Sequence, residues 1–226
     1  MPFLIITILI TIHELGHFLT AKYYNFDIDK IYLYPYGGIS KFNLEMNVSL
    51  KKELIVLIMG PIFQIICYNI IILIPFFSNY HEIIKSIHYT ILVFNLLPIY
   101  PLDGGKLLNI IINYFFSFKF SLRLVILISY LVVISLSLYF FKISLNLNII
   151  FMICFLLYKI GEERKNIRIY YDKFLLERYL KNYNFKKYKK INSIDKFYRD
   201  KKHIIKINNN LYSEKEYLNK KYRRYF

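Results

Sequence analysis

The sequence predicts a polytopic, all-α membrane protein carrying a small basic tail, and three observations lead there. First, 56% of the 226 residues are apolar, and mean hydropathy is +0.35, well above an ordinary soluble domain. Second, charge is segregated: residues 1–158 hold 10 Lys/Arg and 7 Asp/Glu, net +3, whereas 159–226 hold 21 and 8, net +13. Third, apolar runs of about the length of a bilayer crossing recur along the first part. With 7 Gly and 2 Cys, a collagen-like fibre and a disulfide scaffold are excluded, and the apolar content excludes disorder of the whole chain. Ala21 is the only alanine and Trp is absent, while Ile, Asn, Lys, Tyr and Phe abound. Such a bias is that of AT-rich coding, so the basic tail is discounted as a sign of a polyanionic partner, and no nucleic acid is expected.

A spanning helix needs roughly 20 apolar residues, because the hydrocarbon core is about 30 Å thick and the helix rises about 1.5 Å per residue. Phe3 to Ala21 qualifies apart from His13, Glu14 and His17, and Leu54 to Phe77 contains no charge. Ile87 to Leu102, broken by prolines, Leu124 to Phe141 and Leu145 to Tyr158 bring the expectation to about five spans. Counting Lys/Arg in alternate connections orients them. Residues 22–53 carry five and 103–123 carry three, whereas 78–85 and 142–144 carry one each. The first two connections and the tail are therefore expected in the cytosol, with the amino terminus outside. The first residues lack a basic segment and an Ala-x-Ala-like site, so no cleaved signal peptide is expected. Residues 1–158 are read as one transmembrane domain and 159–226 as a tail domain.

Polar groups within the spans are costly and therefore informative. Cys67 and Cys154 read as small buried hydrophobes. Gln64 and Asn69 are expected to face other helices or a cavity. The strongest signal is His13-Glu14-Leu15-Gly16-His17, an H-E-x-x-H pattern. Four residues apart on a helix, the two imidazoles lie about 40° apart around the axis and can bind one zinc ion (Zn2+). Glu14 projects beside them, where it can take a proton from a water that the ion polarises, as in metal-assisted peptide hydrolysis. The motif follows an apolar run about 15 Å long, which places it near mid-bilayer. Three polar groups there need a compensating partner, and a metal supplies one.

A catalytic zinc takes three protein ligands and leaves one position open. The best third candidate is Asp103, in the run from Asn95 through Pro98 and Pro101 to Gly104 and Gly105. Prolines and glycines there are expected to disrupt the helix and let the chain fold back, which is tolerated where backbone lines a water-containing cavity. His81, Glu82 and His88 are alternative ligands ranked lower, because they sit toward the opposite side.

In these motifs the chain resembles the site-2 proteases, zinc metalloproteases that cut substrates within or beside the membrane. Asn95-Leu-Leu-Pro98-Ile-Tyr-Pro101-Leu-Asp103-Gly-Gly105 is similar to the corresponding run of the family's sporulation branch, and Tyr34-Pro-Tyr-Gly-Gly38 to the family's glycine-containing loop. The resemblance implies that His13, His17 and Asp103 bind one zinc per chain, that Glu14 is the base, and that Asn95, Pro98 and Pro101 help place substrate. It also implies a bacterial, multi-pass membrane enzyme, a sigma-factor precursor as protein substrate, and an inhibitory membrane partner. An extended substrate would be held by strand-type pairing with the 95–105 run and the short β-containing loop at 31–42.

Three features depart from the branch. Its members carry another membrane segment before the first motif. A Gly-Pro-x-x-Asn pattern stands here as Gly60-Pro61-Ile62-Phe63-Gln64. In place of a CBS domain there is the short tail, where a strand at His203 to Ile207 and a helix from Ser213 with a capping box are expected. A single CBS-like unit lacks the paired cleft that ATP needs, and the tail's cations would attract anionic lipid as readily. Rival readings are a catalytically silent scaffold, a zinc transporter, and a site-2 protease for a non-sporulation substrate such as an anti-sigma factor.

Overall fold

The structure, a computed structural model, describes residues 2–26, 30–34, 37–41, 46–143, 146–185, 187–207 and 210–223. It forms two compact units, one of residues 1–45 and 51–97 and one of 46–50 and 98–226.

The first unit opens with α1 (Pro2–Tyr23). Ile5, Leu9, His13, His17 and Ala21 are buried at a spacing of four, whereas Leu4, Ile8, Leu15 and Leu19 are exposed. A helix apolar on its outer face with histidines on its inner face suits a lipid solvent, not water. After α1 come the antiparallel strands β1 (Lys30–Tyr34) and β2 (Gly37–Lys41), Lys30 opposite Lys41 and Tyr34 opposite Gly37. The expected β-containing loop is thus a hairpin; Pro35 and Tyr36 of the glycine-containing stretch lie outside the described residues. Helix α2 (Leu50–Leu73) follows. It stops because Ile74 precedes Pro75, whose ring disfavours helical backbone in the residue before it, and Ile74 is extended. A 3-10 turn (Pro75–Tyr80) leads into α3 (His81–Leu96). Ile5, Leu9 and Ile84 form the apolar core, flanked by Cys67, Tyr68 and Ile71.

The second unit contains α4 (Asp103–Phe115), α5 (Phe118–Ile143) and α6 (Leu147–Leu180). The 34 residues of α6 make it about 51 Å long, so one continuous helix carries the apolar run and the charged sequence beyond it. Then come β3 (Tyr188–Ile191), β4 (Lys202–Ile207), β5 (Asn210–Ser213) and α7 (Glu214–Tyr222). The central β4 pairs parallel to β3 and antiparallel to β5. The strand and helix expected in the tail are present, and Ser213 and Glu216 complete the capping box of α7. Phe118, Leu122, Phe174, Leu175, Phe197, Ile205 and Leu218 form its core.

Among the described residues three helices are long and apolar enough to cross a membrane: Leu4–Tyr23, Leu50–Leu73 and Phe118–Lys142. The other two expected spans fall on α3, which has 16 residues and ends before Pro98, and on the first part of α6. Two expectations about single residues change. Asn69 faces outward, its amide donating to the Ile65 carbonyl one turn back, and Cys154 is exposed instead of buried, because the apolar part of α6 presents an outer face of its own.

Candidate metal and proteolytic site

On α1 the His13 and His17 rings meet edge to face, 4.9 Å between centroids, and both are buried. Their protonation follows from their neighbours. Gln64 Nε2 donates to the His88 carbonyl at 3.0 Å, which fixes Gln64 Oε1 as the atom 2.9 Å from His13 Nδ1. An amide oxygen only accepts, so His13 Nδ1 carries the hydrogen. His17 Nδ1 donates in the same way to the Val56 carbonyl at 2.9 Å. With Nδ1 donating in both rings, it is the two Nε2 atoms that face each other, at 3.2 Å.

Helix α2 is built to make this possible. A Cβ on Gly16 would lie 2.5 Å from the Met59 carbonyl oxygen, and one on Gly60 only 2.3 Å from His17 Nε2. Any side chain at position 60 would occupy the space of the imidazole. Pro61 follows within the helix, and Gln64, one turn after Gly60, supplies the amide that orients His13. His88, stacked on Tyr68 at 4.1 Å between ring centroids, receives the Gln64 amide and lies 3.3 Å from it through Nδ1. Its place is behind His13 as a partner of Gln64. His81 and Glu82 open α3.

Gly60 and the orienting role of Gln64 went unassigned by sequence reasoning. The available signal was a small residue and an amide one turn apart in a charge-free span, the composition of helix contacts in membranes.

Glu14 is half-buried beside His13, and Asn95 is half-buried in the last turn of α3. In the second unit, Pro98 and Pro101 lie in the non-helical segment between α3 and α4, and Asp103 is buried in the first turn of α4. A carboxylate is favoured there by the helix dipole, and Lys106 Nζ stands 3.2 Å from its Oδ1. Gly104 and Gly105 do not break the helix as expected but start it. A Cβ on Gly105 would lie 2.5 Å from the carbonyl carbon of Ile99 and from Tyr100 N, so glycine serves close packing of the preceding segment.

The histidine pair fits zinc. Two nitrogens, each about 2.0–2.1 Å from one tetrahedral ion, stand about 3.3–3.4 Å apart, close to the 3.2 Å between the Nε2 atoms. A metal-bound His is expected to donate its other ring N–H to a carbonyl or amide, as both rings do here.

Residues 1–91 match the model of Peptidase family M50. Over that stretch the chain is similar to the peptidases of this family. It is 30% identical over 183 residues to stage IV sporulation protein FB of Bacillus subtilis, a match covering 78% of this chain and 63% of that protein. Over 118 residues it is also 30% identical to a zinc metalloprotease of Methanocaldococcus jannaschii, covering 49% of this chain and 34% of the other. The chain thus spans less than two thirds of the length of the curated relatives it matches. Among solved structures, a site-2 protease from Methanocaldococcus jannaschii has the same fold, with a TM-score of 0.57 at 23% identity over 71% of this chain and 76% of that one.

Proposed function

We propose that this chain is an intramembrane zinc metalloendopeptidase, and the observation that carries the reading is the pair of Nε2 atoms facing each other within an H-E-x-x-H helix. In this reading His13, His17 and Asp103 hold one zinc ion per chain. The ion, when bound, supplies the Lewis acidity that peptide hydrolysis needs. Glu14 accepts the proton of the attacking water and returns it to the departing amine. Gln64 and the Val56 carbonyl keep both imidazoles in the tautomer that presents Nε2. Asn95, Pro98 and Pro101, with the hairpin of β1 and β2, hold an extended substrate by strand-type pairing.

The name of the Bacillus subtilis relative supports a role in sporulation; a sigma-factor precursor as substrate and an inhibitory membrane protein as regulator are proposed with it, on the resemblance of the Asn95 to Gly105 run to the family's sporulation branch. About five spans, a transmembrane domain at 1–158 and a cytosolic tail at 159–226 complete the proposal, on the distribution of Lys/Arg among the connections. Co-expression with a tagged sigma-factor precursor tests it. Wild type should yield a shortened product, and Glu14→Gln should lower the yield per unit time by roughly 10²–10⁴ while the protein accumulates normally. Equal cleavage by Glu14→Gln would rule out the assigned base, and no cleavage by either would rule out the substrate.

A further inference from the structure

The second unit holds a groove of about 780 Å³ lined along α5 by Lys119, Arg123, Leu127 and Tyr130 and along α6 by Arg164, Lys165 and Arg168. Counting Lys221 of α7, six cations line it against two carboxylates, Asp172 and Asp195. Lys119 is paired with Asp195 at 2.6 Å and Arg168 with Asp172 at 3.9 Å. Among the described residues no carboxylate lies within 4.0 Å of Arg123, Arg164, Lys165 or Lys221. Four positive charges thus converge with no carboxylate in contact among the described residues.

Where those charges sit on α5 identifies what neutralises them. Lys119, Arg123, Leu127 and Tyr130 share one face of the helix, and the candidate span covers Phe118–Lys142. The cations occupy its first two turns, where Lys and Arg reach the headgroup layer. From Arg123 to Tyr130 the wall advances about 10 Å toward the hydrocarbon and becomes apolar, with Leu127 56% exposed. A basic mouth over an apolar floor matches a molecule with a phosphate at one end and an acyl chain at the other.

We propose that this groove binds an anionic phospholipid, its phosphate among Arg123, Arg164 and Lys165 and an acyl chain along Leu127 and Tyr130. The site is independent of the protease reading and needs only that α5 crosses a membrane. A water-soluble phosphate shares the headgroup chemistry, so the test separates the two.

The full chain, purified in neutral detergent, is titrated by native mass spectrometry with phosphatidylglycerol, with phosphatidylcholine of the same acyl chains, and with glycerol phosphate. Wild type should bind phosphatidylglycerol at least about tenfold more tightly than phosphatidylcholine and should not retain glycerol phosphate. Arg123→Gln with Arg164→Gln should weaken phosphatidylglycerol by about thirtyfold, on the scale of fivefold per surface cation. Lys187→Gln with Lys202→Gln, which removes two cations outside the groove, should change nothing. If the first pair impairs folding, Arg164→Gln with Lys165→Gln, both exposed on α6, replaces it with the same expected loss. Equal binding of both lipids, unchanged binding in the groove variants, or tight retention of glycerol phosphate would each overturn the proposal.

Discussion

Each unit of this protein buries a polar cluster built around histidine, and the two clusters resolve their hydrogen bonding in opposite ways. In the tail, Arg178 uses all five of its donors: Nε to Asn47 Oδ1, Nη1 to the Lys201 carbonyl and Glu214, Nη2 to the Tyr198 and Arg199 carbonyls. Glu214 accepts the His203 backbone N–H and faces its Nδ1, and His203 Nε2 accepts the Tyr198 N–H. Donors meet acceptors and charge meets charge, so the cluster is self-contained. In α1, by contrast, Gln64 and the Val56 carbonyl engage the two Nδ1 atoms and the two Nε2 atoms meet each other at 3.2 Å, close to the separation of two nitrogens on one tetrahedral zinc. A closed network specifies structure, whereas two ring nitrogens converging at that separation fit a shared metal ion.

The contrast can be broken first at Gly60. Gly60→Ala should displace His17, abolish retained zinc and stop cleavage as completely as His17→Ala, while the tail melts as in wild type; elemental analysis alongside a melting curve reads both. Conversely, Arg178→Leu removes the guanidinium from the buried Glu214, leaving it only His203, and should cost the tail about 3–5 kcal/mol with zinc content unchanged, measured by denaturant unfolding of the purified chain. Gln64→Leu removes only the orienting acceptor of His13, so zinc should bind roughly 10–100-fold more weakly, as a chelator competition would show.

Acid should act on the tail. Burial holds the His203 imidazole below its ordinary value near 6.5. Burial alone would raise the Glu214 carboxyl, but the hydrogen bond from His203 and the Arg178 charge outweigh it and hold it below 4.5. In both cases the unfolded chain takes up protons that the folded one refuses. Stability from His203 is therefore complete above about pH 6.5 and lost as pH falls through that value, with a second loss below about 4.5. A melting temperature that stays level or rises from pH 7.5 to 5.5 would contradict this. The smallest effect expected is Ser213→Ala, about 1 kcal/mol for the N-cap of α7, read by the same melting experiment.

What the sequence made legible were the local patterns. An i, i+4 histidine pair, charge-free runs of span length, the β4 apolar cluster and the Ser213 capping box each state their structure within a few residues. What stayed hidden depends on partners distant in the chain. Arg178 meets Asn47 across 131 positions, and Gly60 matters only because the His17 ring occupies the space of its missing side chain. The prolines before Asp103 did mark a non-helical segment, but Gly104 and Gly105 resembled breakers because nothing local reveals that the Ile99 and Tyr100 backbone packs against them. For the same reason Gln64 was legible as a polar group in a costly place, but not as the group that sets the tautomer of His13.

The most direct test is the zinc content of the purified full chain beside His17→Ala and Glu14→Gln. One zinc per chain in wild type and in Glu14→Gln, and none in His17→Ala, is the predicted result. Zinc retained by His17→Ala, or absent from wild type purified without chelator, would contradict the assignment of the histidine pair as a metal site.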